Sequence, residues 1–124
     1  EITNIQNLRF LNISNNVFYG NFPSNVAKWR EMEVLDAYNN NFTGPLPVEL
    51  SKLRKLRHLH LGGNYFSGSI PSEYSEITSL KYLALCGNTL TGKIPGELSR
   101  LVNLEELYLG YYNYYESKIP SMFG

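Results

Sequence analysis

Two histidines separated by one residue are the side chains of this sequence best suited to metal chemistry. His58 and His60 lie in LRHLHL, where apolar and polar residues alternate as they do along a β-strand. On a strand both imidazoles face the same side, with Cβ atoms about 7 Å apart. A four-coordinate zinc site needs further Cys, His or carboxylate ligands, and none follows at a recognisable spacing. We therefore predict no metal and no cofactor. We interpret the pair either as surface residues without a binding role or as imidazoles that contact an acidic group of a ligand.

Cysteine content and charge exclude several other kinds of chemistry. The single cysteine, Cys86, has no disulfide partner and no neighbouring base that would activate it as a nucleophile. Eleven basic and eleven acidic residues give a net charge of zero, which argues against a general electrostatic attraction to nucleic acid or to an anionic membrane. No apolar run approaches the ~18 residues of a membrane-spanning helix. We expect neither nucleic acid nor a lipid surface as a partner of this segment.

The sequence repeats itself with a period of 24 residues. The strings FYGNFP, FTGPLP, FSGSIP and LTGKIP recur at this step. Two columns of framework residues keep the same register: Leu8, Met32, Leu56, Leu80 and Leu104, and Asn16, Asn40, Asn64 and Asn88. The pattern L-x-x-L-x-L-x-x-N at a fixed period in this range is the signature of leucine-rich repeats.

These repeats predict an α/β solenoid with a parallel sheet on the concave side and short helical or 3₁₀ turns on the convex side. We expect residues 1–7 to be the tail of a preceding repeat, followed by five repeats at 8–31, 32–55, 56–79, 80–103 and 104–124. The asparagine column is predicted to form a ladder that pairs the backbone groups of each turn. One apolar column is expected to fill the interior beneath that ladder: Phe18, Phe42, Phe66 and Leu90.

Catalysis by this segment is not expected. Asp36 and Glu106 would lie on strands at least ~14 Å apart, which is too far for an acid–base pair. No nucleophile, base and orienting group come together elsewhere in the repeat pattern. We predict that the segment is not an enzyme.

The fifth repeat departs from the others by one inserted residue. The asparagine column reaches Tyr112, and Asn113 follows one position late, while Ser117 stands where glycine is expected. GYYNYYESKIP therefore predicts a bulged turn with four tyrosines, which is either a local packing variation or an aromatic contact surface. Neither end of the sequence carries a polar capping repeat, so we expect an internal portion of a longer solenoid that is marginally stable or self-associating by itself.

Two sequons for N-glycosylation favour a secretory protein. They begin at Asn12 (Asn-Ile-Ser) and at Asn41 (Asn-Phe-Thr). The alternative is a chance occurrence in an asparagine-rich sequence.

The strings EVLDAYNNNFTGPLPVEL, LRHLHLGGNYFSGSIP and ELYLGYYN resemble the ectodomains of CLAVATA-type plant receptor-like kinases, including their relatives in meristem and nodulation control. The resemblance implies an extracellular (apoplastic) segment of a single-pass receptor with a cytoplasmic serine/threonine kinase. It also implies a secreted CLE-type peptide as ligand and a co-receptor or sister receptor kinase as a further partner. No kinase motif occurs in these residues.

The family holds its peptides on the inner surface of the solenoid, which corresponds here to the outward positions of the concave strands. The candidate ligand-binding residues are Asp36, Tyr38, His58, His60, Tyr82, Glu106, Tyr108 and Tyr111. The Arg-x-Arg pair with which the family anchors a peptide carboxylate is missing, because Arg54 and Arg57 do not have that spacing. An alternative reading is a soluble extracellular recognition protein, such as an inhibitor of pathogen polygalacturonase, which shares this class of repeat.

Overall fold

The computed structural model describes residues 2–116 and 119–121. Over these residues the chain winds into a solenoid with two parallel sheets of five strands each, in the orders β1-β3-β5-β7-β9 and β10-β8-β6-β4-β2. The strands are β1 (Phe10–Asn12), β2 (Tyr19–Asn21), β3 (Val34–Asp36), β4 (Asn41–Pro45), β5 (His58–His60), β6 (Tyr65–Gly68), β7 (Tyr82–Ala84), β8 (Thr89–Gly92), β9 (Glu106–Tyr108) and β10 (Tyr114–Tyr115). The predicted fold class, a leucine-rich-repeat solenoid with a concave parallel sheet, is confirmed.

The concave sheet joins residues that are 24 positions apart. Leu35 pairs with Leu59, and Leu59 pairs with Leu83, so that equivalent residues stand beside each other along the solenoid. Side chains alternate across a strand, and the leucine at each strand centre therefore points inward. The residues before and after it face outward.

The convex side consists of short 3₁₀ turns. They span Ile2–Asn4, Ser24–Lys28, Val48–Lys52, Ser72–Glu76 and Gly96–Arg100. A proline precedes each of the last four turns, and its fixed φ suits the entry into a helical turn without requiring an N–H donor. The prediction of helical or 3₁₀ turns is thus resolved in favour of 3₁₀.

The core lies between the two sheets and the convex turns. The largest fully buried side chains include Trp29, Tyr74 and Phe66. Phe42 and Phe66 stack within it at 6.2 Å between ring centroids. Phe18 differs from the prediction that it fills the interior, since it is 48% exposed. It stacks on Phe42 on one side only, because no coil of the described residues packs against its other side.

The predicted asparagine ladder is present. The Asn64 amide donates to the carbonyls of Ala37, Leu61 and Gly62 at 3.0–3.2 Å, and its oxygen accepts the N–H of Phe42. Each rung therefore joins its own turn to the preceding coil, which pairs buried backbone groups that a strand-to-turn transition leaves open.

The insertion of the fifth repeat is absorbed in the turn. Asn113 takes the ladder position, donating to the carbonyls of Leu85 and Leu109 and accepting the N–H of Leu90. The extra residue is accommodated by Tyr111 and Tyr112, both with positive φ (59° and 68°). The predicted bulge is confirmed, while Ser117 lies outside the described residues.

Candidate ligand-binding face

The concave sheet presents two outward columns of side chains. The first consists of the opening residues of its strands, namely Phe10, Val34, His58, Tyr82 and Glu106. The second consists of the closing residues, namely Asn12, Asp36, His60, Ala84 and Tyr108. Seven of the eight predicted ligand-binding residues lie in these columns or in the turn that follows them on the same face. The eighth, Tyr111, lies in the bulged turn.

Aromatic and imidazole rings form a continuous ridge along this face. We call it the aromatic ridge, and it comprises Tyr38, His58, His60, Tyr82 and Tyr108. Ring centroids are separated by 4.8 Å between Tyr38 and His60, 5.8 Å between His60 and Tyr82, and 5.6 Å between Tyr82 and Tyr108. His58 stacks on Tyr82 at 4.2 Å with an interplanar angle of 4°. The ridge thus links four consecutive coils.

Side-chain hydrogen bonds fix the turns after β3 and β5 and orient the ridge there. The Asp36 carboxylate accepts the N–H of Tyr38 at 3.0 Å, and His60 Nδ1 accepts the N–H of Gly62 at 3.1 Å. Because Nδ1 accepts a hydrogen bond, the neutral His60 ring carries its proton on Nε2. The His60 plane is therefore set by its own turn as well as by its aromatic neighbours.

A glycine beside the ridge allows two neighbouring coils to pack closely. A Cβ on Gly62 would lie 2.7 Å from the Cys86 carbonyl oxygen and 2.8 Å from Cε1 of His60. The neighbouring coil therefore packs directly on the Gly62 backbone. The sequence alone offered no sign of this contact beyond the small residue itself.

Acidic groups flank the ridge. Glu106 accepts a hydrogen bond from the Tyr108 hydroxyl at 3.0 Å, which raises the pKa of Tyr108. Burial is the first cause that raises the pKa of Tyr82. Both phenols therefore remain neutral donors at physiological pH, and the face offers hydroxyl groups and ring faces.

A charged network at the entrance to the strands was missed by sequence reasoning. Glu33 lies between Arg9 and Arg57, with N···O distances of 2.5 and 3.5 Å, and hydrogen bonding from Arg9 is the first cause that lowers the pKa of Glu33. Both guanidinium groups lie within 6 Å of the Phe10 ring centroid, at 5.3 and 5.8 Å. The signal available in the sequence was the 24-residue spacing of these charges, which precede the strands.

The histidines do not belong to a metal-ligand cluster. Among residues 2–116 and 119–121, no group of three or more His, Cys, Asp or Glu side chains is placed to hold a metal ion. His58 uses its ring face against Tyr82, and His60 uses Nδ1 for Gly62. Their arrangement serves stacking and turn formation.

Burial changes the acid–base behaviour expected of the two histidines. Desolvation lowers the pKa of His58 and of His60, and it outweighs the nearby Asp36 carboxylate, which acts in the opposite direction. Arg57 lowers the pKa of His58 further, whereas Glu106 raises it. Protonation of the folded pair therefore requires a lower pH than the ordinary value of about 6.5.

The free energy of unfolding should consequently fall as the pH drops from about 7.5 to about 5.5. The stabilisation from keeping both imidazoles neutral is fully present above the pKa that the histidines have in the unfolded protein. It is lost as the pH falls through their lower pKa values in the folded protein. Urea unfolding at several pH values would measure the slope. We expect the double variant His58→Gln/His60→Gln to show a smaller slope, and an unchanged slope would contradict the assignment to these residues. Glu33, with its lowered pKa, stays ionised throughout this range.

The remaining predicted positions lie apart from the ridge. Tyr111 is 74% exposed and packs edge-on against Tyr112 at 4.5 Å. Asn12 lies on β1 in the concave sheet, where its side-chain oxygen accepts hydrogen bonds from the N–H and hydroxyl of Ser14. Asn41 is exposed at the start of β4 in the second sheet. The two sequons thus lie on different surfaces of the solenoid, one on the concave sheet and one on the second sheet.

A family model described as Leucine Rich Repeat matches residues 7–29, 31–53, 55–76 and 79–101. No curated protein sequence matches the chain. None of the helices in the described part of the chain is both long and apolar enough to cross a membrane.

Solved structures similar to this chain include ectodomains of plant receptors. The chain is 41% identical to a TDR receptor with a TM-score of 0.96, covering 98% of this chain and 21% of that one. It is 32% identical to the plant peptide hormone receptor RGFR1, solved with RGF2, with a TM-score of 0.95 and coverage of 98% and 19%. It is 30% identical to the Arabidopsis receptor kinase HAESA, solved with the peptide hormone IDA and the co-receptor SERK1, with a TM-score of 0.94 and coverage of 99% and 21%. The chain thus spans about a fifth of the length of these relatives.

Proposed function

The chain belongs to the leucine-rich-repeat family, and from this premise we propose that it forms part of the extracellular ligand-sensing domain of a plant receptor kinase. Within that class we propose a CLAVATA-type receptor whose ligand is a small secreted peptide of the CLE type. The solved complexes of RGFR1 with RGF2 and of HAESA with IDA support a peptide as the class of ligand.

The observation that carries the proposal is the aromatic ridge. Its rings run across the strands of four coils on the concave face. A peptide lying across the strands would place its side chains against Tyr38, Tyr82 and Tyr108. Tyrosine supplies large contact area at low entropic cost and also a hydroxyl for hydrogen bonding.

Polar groups beside the ridge would orient the peptide. Asp36 and Glu106 accept hydrogen bonds, and the protonated phenol of Tyr82 can donate one, whereas the Tyr108 hydroxyl already donates to Glu106. These groups do not form a strongly charged pocket, so we expect affinity to come from ring contacts and backbone hydrogen bonds rather than from buried ion pairs. A co-receptor kinase would complete the signalling complex, as the SERK1 in the HAESA complex suggests.

The location follows from the proposed function. We propose that this segment faces the apoplast as part of a single-pass membrane receptor, and that a cytoplasmic serine/threonine kinase belongs to the same protein. The segment itself would bind ligand without catalysing a reaction.

Replacing Tyr82 by Ala should weaken binding of synthetic CLE-type peptides by about tenfold, because Tyr82 contacts three other ridge rings and truncation of a central aromatic residue typically costs more than 1 kcal/mol. Titration calorimetry on the complete ectodomain would measure the change. Tyr19→Ala is the matched control, since Tyr19 lies on the second sheet and is 83% exposed. Equal affinities of the two variants would refute a role for the ridge, and a parent ectodomain that binds no peptide would refute the proposed function itself.

A further inference from the structure

An uncharged trough crosses the turns between the concave sheet and the second sheet. It encloses about 320 Å³, and its lining includes Asn39, Asn41, Gly63, Gly87, Tyr112 and Tyr114. We call it the amide trough. Its middle is lined by Gly63 and Gly87, which hold the left-handed position of the turn in two adjacent coils with positive φ. Asn39 closes it on one side, and the bulged turn at Tyr112 closes it on the other.

The chemistry of the trough selects a neutral ligand with polar edges and apolar faces. None of its eleven lining residues is charged. Three tyrosines lie along it with ring surface free, since Tyr65, Tyr112 and Tyr114 are 58%, 67% and 67% exposed. A charged ligand would lose hydration here without meeting a counter-charge. A pyranose sugar instead offers hydroxyl groups to the tyrosine hydroxyls and to the side-chain oxygen of Asn39, and an apolar ring face to the tyrosines.

A sequon stands at the edge of this trough. Asn41 lines it, is exposed, and is followed by Phe42 and Thr43. Phe42 is only 6% exposed and is held in the core. Because side chains alternate along a strand, the buried Phe42 fixes Asn41 and Thr43 on the outer surface of β4. The acceptor amide is therefore presented to solvent on a rigid element.

We propose that Asn41 carries an N-linked glycan whose first sugars lie in the amide trough, running from Tyr65 towards Tyr112 and Tyr114. The proposal rests on the proposed extracellular function, since such glycans are added in the secretory pathway. Asn41 on β4 and Tyr114 on β10 are three strand spacings apart, or ~14 Å, a distance that a few linked pyranose rings cover. The sugars then follow the row of glycines across the repeats.

The attachment exchanges one bond for another. The amide nitrogen of Asn41 attacks the anomeric carbon of an oligosaccharide carried on a lipid pyrophosphate. The new C–N bond forms as the C–O bond to the pyrophosphate breaks, the amide gives up one proton, and the lipid pyrophosphate leaves with the bonding electron pair. The donor of the secretory pathway supplies all the energy of this step.

Because the glycan is covalently attached beside the trough, weak contacts are sufficient to hold its sugars there. A ligand tethered beside its site has an effective concentration in the millimolar range, so the sugars occupy the trough without a strong free affinity. The sequon at Asn12 lacks such a site, because its side chain is bonded to Ser14 on the concave face. The bulged turn of the fifth repeat acquires a role in this arrangement as the far wall of the glycan site.

The test uses the 124-residue chain secreted from insect or plant cells. Intact-mass analysis should show a glycan in the parent that Thr43→Ala removes. Native release of that glycan by an amidase should be slow in the parent and about fivefold faster in Tyr112→Ala/Tyr114→Ala, which removes two ring contacts. Tyr19→Ala, with an exposed ring on the same sheet outside the trough, should release at the parental rate. After denaturation all samples should release at one rate.

Either of two results would overturn the inference: an unmodified Asn41 in the secreted chain, or equal native release rates in the parent and the trough variant. Circular dichroism of the variants establishes whether they are folded. If the double variant unfolds, the single substitution Tyr114→Ala replaces it and should release the glycan about twofold faster than the parent, because it removes one of the two ring contacts. The host cells add N-glycans in their own secretory pathway, whether or not the parent protein is a peptide receptor. A failure of the ectodomain to bind peptide would therefore refute the proposed function without affecting the glycan result.

Discussion

Replacing Asn64 by Ala should lower the free energy of unfolding by about 3 kcal/mol. Asn64 is only 4% exposed, and its side-chain oxygen is the acceptor for the buried N–H of Phe42. The carbonyls of Ala37 and Leu61 keep donors from Asn40 and Asn88 after the substitution. The orphaned Phe42 N–H, the three lost donor contacts and the small cavity together account for the expected cost. Chemical denaturation at equilibrium would measure it.

Asn16→Ala provides the control within the same ladder. Asn16 is exposed and donates only to the carbonyls of Ile13 and Ser14 in its own turn. Its loss leaves no buried group unpaired, and we expect a change below about 1 kcal/mol. If the two variants were equally stable, the ladder would not be a principal support of the solenoid. Because each coil contacts only its neighbours, the Asn64 variant should also weaken the coils on both sides.

Replacing Gly62 by Ala should destabilise the protein by about 2 kcal/mol. The added Cβ would lie 2.7 Å from a backbone oxygen of the next coil, that of Cys86, and 2.8 Å from the His60 ring. A side-chain tip could move aside, but the Cys86 carbonyl accepts the N–H of Gly63 and is held in place. The clash therefore separates two coils or displaces His60 from the ridge, and thermal melting would register the change.

Gly110→Ala is the matched control, because Gly110 holds the equivalent position two repeats later. No atom lies within 4 Å of a Cβ built there, and its φ is not positive. We expect the melting temperature of this variant to match that of the parent within about 1 °C. A comparable loss in both variants would point to the removal of glycine itself, and would reject close packing of the coils as the cause.

The repeat period made the fold predictable. A 24-residue step places equivalent residues beside each other, and the apolar residues at strand centres can be buried only if the coils stack. Pairing of Leu35 with Leu59 and the bonds of Asn64 to the preceding coil follow from that single regularity. Phe18 is more exposed than predicted because the period describes a coil with neighbours on both sides, and within residues 2–116 and 119–121 Phe18 stacks on one neighbour, Phe42.

The candidate site was predicted in its membership but not in its organisation. The alternation of side chains identified His58, His60 and Tyr82 as outward residues of one face. Their stacking depends on the ring rotamers and on contacts between residues one repeat apart, which the alternation does not specify. Tyr111 was predicted on the same face, and in the structure it lies in the bulged turn, where its ring packs edge-on against Tyr112.

By itself, the sequence determined the solenoid, the inward leucines, the asparagine ladder and the direction in which most candidate side chains face. These properties depend on local geometry that repeats every 24 residues, so the residue type at each repeated position is enough to predict them. Only the tertiary structure decided the continuity of the aromatic ridge, the lowered pKa values of the histidines, the crowding at Gly62 and the amide trough beside Asn41. Each of these depends on how closely side chains and backbone from different coils approach, and that distance is set by packing of the whole stack.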